Sequence, residues 1–118
     1  MKAKEVTLII QATKDGNLSE VKRFGSDEKY LHVMTSNKST LLHLAVSYSH
    51  EKIVRFLVNK GLNINAKNNL GNTPIHISAM KGNDQILLFL LEKKGNPNAS
   101  NNQVCINNYF LLNFVNYI

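Results

Sequence analysis

The stretch Asn68 to Ser100, NNLGNTPIHISAMKGNDQILLFLLEKKGNPNAS, decides the fold. It opens on a polar turn, and Thr73-Pro74-Ile75-His76 follows as a helix start. A threonine hydroxyl accepts a free backbone N–H at a helix N-terminus, and proline suits the next position, where no N–H is missed. Gly82 breaks that helix after the small residues Ser78 and Ala79, which allow close approach of a neighbour. Ile86, Leu87, Leu90 and Leu91 then fall at i, i+1, i+4 and i+5, the stripe of a helix with one buried face. Gly95-Asn96-Pro97-Asn98 ends it.

The same unit recurs at an offset of 33 residues. Thr40-Leu41-Leu42-His43 answers Thr73-Pro74-Ile75-His76, and Ala45, Ile53-Val54, Leu57-Val58, Asn63 and Asn65-Ala66 answer Ser78, Ile86-Leu87, Leu90-Leu91, Asn96 and Asn98-Ala99. One step further back, Thr7, Ala12, Gly16, Val21 and Phe24 stand in register with Thr40, Ala45, Ser49, Val54 and Leu57. One hairpin cannot bury its stripe alone, so the copies are expected to stack into one continuous core.

This pattern resembles the ankyrin repeat, a turn followed by two antiparallel helices, over residues 5–103 and most closely over 35–100. The resemblance implies an all-α solenoid of stacked hairpins with β-turn or loop tips. The repeat domain is expected over residues 1–103: a capping repeat at 1–34, a second at 35–67, a third at 68–100, and a turn into a fourth at 101–103. Lys38, Ser49 and Lys94 replace glycines of the family pattern, and Leu41 replaces its proline. A side chain in left-handed geometry costs about 1–2 kcal/mol, which predicts slightly adjusted turns in the middle unit. In the first unit Ile10 stands where histidine is expected, Asp15-Gly16-Asn17 separates the helices, and Gly25 to Lys29 reads as a charged loop.

Residues 104–118 break the pattern, with Ile106-Asn107-Asn108-Tyr109 where Thr-Pro-Ile-His belongs and no charge from residue 101 onward. An end repeat normally presents a polar outer face. Two origins fit this atypical apolar tail. Gln103-Val104-Cys105 can be encoded as CAG GTA TGT, an exon end running into a splice donor, which would make the tail translated intron. The alternative is an irregular C-terminal cap folded over the last repeat, and an exposed apolar end would favour self-association.

Composition narrows the function classes. A single cysteine, Cys105, excludes an internal disulfide and points to an intracellular setting, cytoplasmic or nuclear. The opening residues make no signal peptide, and no run reaches the roughly 20 apolar residues of a membrane span. The net charge of +6 concentrates in residues 35–67, where five Lys and Arg face one acid. That excess suits an anionic surface, a weaker reading given no recognition-helix motif and no aromatic stacking platform for nucleic acid. Seventeen asparagines accompany the lysines, and AT-rich codons for both offer a bland explanation of the basic balance.

No metal or cofactor is expected. His43 and His76 sit at equivalent places one repeat apart and do not converge on one ion, and paired Cys-x-x-Cys spacings are missing. The resemblance gives them a structural role: each bonds its neighbouring loop through one ring nitrogen, with the threonine on the other side. His50 reads as a solvent-facing loop residue. There is no phosphate loop, no Gly-x-Ser-x-Gly and no Ser/His/Asp arrangement, so an enzyme is not expected.

The resemblance implies a non-catalytic module that binds another protein through its concave face and turn tips. The family's contact positions fall on Lys14, Asp15, Asn37, Ser39, Ser47, Tyr48, Asn69, Leu70, Asn72, Met80 and Lys81, with Thr40, His43, Thr73, Pro74 and His76 as structural motif residues. For each contact position ordinary surface variation is the plain alternative. A different class of reading makes the chain the ankyrin segment of a larger polypeptide, such as an acyltransferase or kinase. If the tail is translated intron, the dominant transcript is spliced at the Gln103 codon and continues with further repeat sequence; a dominant message running uninterrupted through that codon contradicts it.

Overall fold

A computed structural model describes residues 2–96, which form seven helices. These are α1 (Ala3–Asp15), α2 (Leu18–Gly25), α3 (Glu28–Leu31), α4 (Leu41–Ser47), α5 (Glu51–Asn59), α6 (Pro74–Met80) and α7 (Asp84–Glu92). The expectations for the turn at 101–103 and the tail at 104–118 lie outside the described residues. Among the described residues the one strand-like feature is an antiparallel bridge between Met34 and Thr40, so the fold is all-α.

The hairpins α1–α2, α4–α5 and α6–α7 each pack internally, then stack side by side. The first helices α1, α4 and α6 form one row, and α2, α5 and α7 form the other. Leu41, Leu42, Ala45 and Val46 of α4, Ile53, Val54 and Leu57 of α5, and Ile75, Ile86, Leu87 and Leu90 of the third hairpin share one buried cluster with Ile9 and Val21 of the first. The small residues Ala45, Ser78 and Ala79 of the first helices are buried.

Local chemistry sets the helix starts. Thr40 Oγ1 accepts the His43 N–H at 3.3 Å and Thr73 Oγ1 accepts the His76 N–H at 3.4 Å. Asn17 and Asn83 cap α2 and α7 through the N–H groups of Glu20 and Ile86, each at 3.2 Å. Thr7, aligned by offset with these capping threonines, instead lies inside α1, its hydroxyl donating to the Ala3 carbonyl at 3.1 Å. No glycine or proline interrupts the sequence ahead of Thr7, so the helix propagates back to Ala3. The charged segment after Gly25 is also more ordered than expected. Asp27 caps the short α3, burying Tyr30 and Leu31, and the Tyr30 hydroxyl donates to the Glu5 carboxylate.

The turns of the middle unit stay left-handed with slightly shifted angles: Lys38 and Ser49 take φ values of 61° and 60°, against 76° at Gly71 and 68° at Gly82 one repeat on, and in the third unit Lys94 takes 70° against 92° at Gly61. The hydrogen bonds match too: Lys38 N–H donates to the Thr35 carbonyl and Gly71 N–H to the Asn68 carbonyl, both at 2.9 Å. The stacked neighbours fix the turn geometry, and the side chains carry the strain.

Leu57→Ala or Leu90→Ala is expected to cost about 2–5 kcal/mol through cavity formation, read as a lowered urea midpoint. Lys38→Gly is expected to add roughly 0.5–1 kcal/mol of stability, read as a higher urea midpoint, because relief of left-handed strain outweighs the added freedom of the unfolded chain. Loss of stability in Lys38→Gly would show that the lysine side chain, not the backbone, holds this turn.

Candidate functional site

Two histidines fix the surface on which a ligand could sit. His43 Nδ1 lies 3.1 Å from the Thr40 N–H and 2.9 Å from its hydroxyl, while Nε2 lies 2.8 Å from the Asn72 carbonyl. A carbonyl only accepts, so Nε2 carries the proton and Nδ1 is the acceptor for the Thr40 N–H. The ring thereby ties the start of α4 to the turn that precedes α6. His76 repeats the local half of this arrangement, with Nδ1 2.9 Å from the Thr73 N–H and 3.1 Å from its hydroxyl. Both rings are buried, and burial pushes the His43 imidazole below its ordinary pKa, with the Asn72 and Ala66 backbone bonds opposing.

His50 is not the solvent-facing residue the sequence suggests. Its Nε2 lies 2.8 Å from the Lys14 carbonyl, joining the second hairpin to the end of α1. Helix ends leave carbonyls without partners, and this donor meets one of them. Gly16 makes room for it: a Cβ there would stand 2.6 Å from the ring, and the glycine also holds φ at 79°. The turn tips are linked as well, with the Asn69 N–H donating to the Asn37 carbonyl at 2.9 Å.

This framework leaves a groove of about 480 Å³ between the first helices and the turn before α4. Seven of the contact positions expected from the sequence line it: Lys14, Asn37, Ser39, Ser47, Tyr48, Met80 and Lys81. Asp15, Asn69, Leu70 and Asn72 do not. Asp15 faces the α1–α2 side and accepts from Gln11 Nε2 at 2.9 Å. Asn69 and Leu70 are exposed at the next turn tip. Ser39 and Asn72 are buried, because the turns turn inward there: the Ser39 N–H donates to Thr35 Oγ1 at 3.2 Å, and Asn72 offers its carbonyl to His43.

Sequence reasoning missed Thr35, Ser36, Leu44, Asn68 and Ile77, which also line the groove. The signal was present, since Leu44 and Ile77 each follow the buried histidine by one place at the repeat offset, as Thr35 and Asn68 share one place in the turn. Two lysines and no carboxylate line the groove. Among the described residues no group of three or more His, Cys, Asp and Glu side chains is placed to hold a metal.

A family model described as ankyrin repeats (3 copies) matches residues 8–101. The chain belongs to the ankyrin-repeat family. No curated protein sequence matches it. Membership accounts for the paired capping threonines and buried histidines, and the left-handed Lys38, Ser49 and Lys94 occupy glycine places of the same ankyrin unit. No helix of the described residues is long and apolar enough to cross a membrane.

The His43 geometry predicts a pH dependence. Its folded pKa lies below the unfolded value of 6.5, so the unfolded chain binds the extra proton first. Stability from this ring is complete above that value and declines as pH falls from 6.5 toward the lowered folded pKa. Site-resolved NMR should show His43 titrating below 6.5, with the urea midpoint falling over the same interval. Titration at or above 6.5 would contradict the buried, neutral ring.

Proposed function

We propose that this ankyrin chain is a non-catalytic module that binds another protein in the groove formed by α4, α6 and the turn before α4. Ankyrin repeats are generally protein-interaction modules. The observation that carries the reading is the pairing of half-exposed Tyr48 and Met80 in one concavity, over a floor that includes Leu44 and buried Ile77. Large side chains left half-exposed outside the core are typical of interface anchors, and Tyr and Met adapt readily to a partner. Leu70 is half-exposed at the neighbouring turn tip, outside the groove lining. The single cysteine in the whole sequence suits work in a reducing compartment, the cytoplasm or nucleus.

The test is affinity purification from the native source with wild-type chain and the Tyr48→Ala/Met80→Ala variant side by side. The variant should keep its helical circular dichroism and lose specific partners, with affinity down by about tenfold or more for two anchor residues. Undiminished capture by a folded variant would place the interface elsewhere.

A further inference from the structure

We infer that the groove takes an extended acidic segment of a partner protein, with carboxylates on both sides of one bulky apolar side chain. This rests on the groove being the binding surface, and adds the chemistry of what fills it.

Charge is the first argument. Lys14 comes from the end of α1 and Lys81 follows α6, so the groove carries a cation from the first hairpin and another from the third, and no carboxylate lines it. Neither lysine takes part in the ion pairs of the described residues, which join Arg23 to Glu20, Lys29 to Asp27 and Arg55 to Glu51. Lys38 is exposed beside the groove residues Asn37 and Ser39, and exposed Lys67 directly precedes Asn68. The nearest acid in sequence, Asp15, is hydrogen-bonded to Gln11 and faces the α1–α2 side. Two lysines therefore line a groove that no carboxylate lines, and two more stand next to lining residues in sequence. Positions 97–118 hold no Asp or Glu.

The apolar residues and the span give the rest. Leu44, Tyr48, Ile77 and Met80 come from the second and third hairpins, where one bulky apolar side chain could bury its surface. Lys14 lies in α1 and Lys81 directly after α6, first helices two places apart in the row, at ~8–10 Å per packed helix pair. That separation of roughly 16–20 Å is the reach of about five or six extended residues at ~3.3 Å each. Nucleic acid fits less well: with the His43 ring buried, Tyr48 is the one exposed aromatic side chain lining the groove, and single-strand binding relies on successive stacking platforms.

The probe is a short capped peptide with a pair of aspartates at each end, a central phenylalanine and glycine spacers. Its companions carry lysine for aspartate, alanine for phenylalanine, or are replaced by a short oligothymidylate. Binding is followed by amide NMR shifts and calorimetry on the full chain. The acidic peptide should shift the amides of Ser47, Tyr48 and Met80, bind about tenfold more tightly than the lysine peptide, and weaken as salt is raised. The alanine peptide should lose several-fold. Lys14→Ser/Lys81→Ser should lose about tenfold with unchanged circular dichroism, while Lys22→Ser/Lys52→Ser, away from the groove, should not. A lysine peptide that binds the groove as tightly overturns the acidic chemistry and leaves the groove standing as a protein site. Shifts with the oligothymidylate at lower concentration than with the acidic peptide assign the lysines to nucleic acid and overturn the proposal. No groove shift with any peptide overturns both the chemistry and the groove reading.

Discussion

A seven-residue helix such as α4 or α6 joined to a nine-residue partner has too little surface to enclose its own apolar side chains. Helices of this length are marginal by themselves, and their stability comes from burial against neighbours. Leu42 and Ala45 of α4 are fully buried with α1 and α6 packed on that helix, and Val54 and Leu57 of α5 are fully buried with α2, α4 and α7 packed on theirs. Each hairpin thus completes the core of the next, and stability is shared across the contacts between units. Ala45 and Ser78 are fully buried, and side chains this small permit close approach of a neighbouring helix.

Polar contacts between units then fix what packing leaves free. Apolar surfaces slide, whereas the His43 bond to the Asn72 carbonyl, the His50 bond to the Lys14 carbonyl and the Asn37–Asn69 backbone bond allow one register. These bonds join the start of one helix, or the loop between two, to the adjacent unit. Buried donors without such partners would be costly, so shape and hydrogen bonding enforce each other. The groove is a by-product of this arrangement. It opens where first helices meet the turns, and Ser47, Tyr48, Met80 and Lys81, which line it, lie outside the buried core.

Much of this was legible because the repeat offset converts one residue's environment into another's. Gly71, Gly82 and Gly61 announce left-handed positions, and the same offset points to Lys38, Ser49 and Lys94 although none of those side chains favours that geometry. Thr40 and Thr73 mark true helix starts, yet Thr7 at the same offset does not, since nothing ahead of it stops a helix. His50 was misread because its partner is a main-chain carbonyl 36 residues away, and a carbonyl leaves no trace in side-chain identity. Ser39 and Asn72 look like surface residues by type, and only the turn's path shows them facing inward. Composition gave the excess of lysine, whereas the coordinates show that Lys14 and Lys81 share one concavity.

The dependence of each hairpin on its neighbours is tested most directly by native-state hydrogen exchange in rising, sub-denaturing urea. The slowest amides of α4 and α6 should merge onto one opening, with the same free energy and the same steep urea dependence. Amides of the third hairpin that open separately, far below the free energy of the second and with a shallow slope, would contradict the shared core.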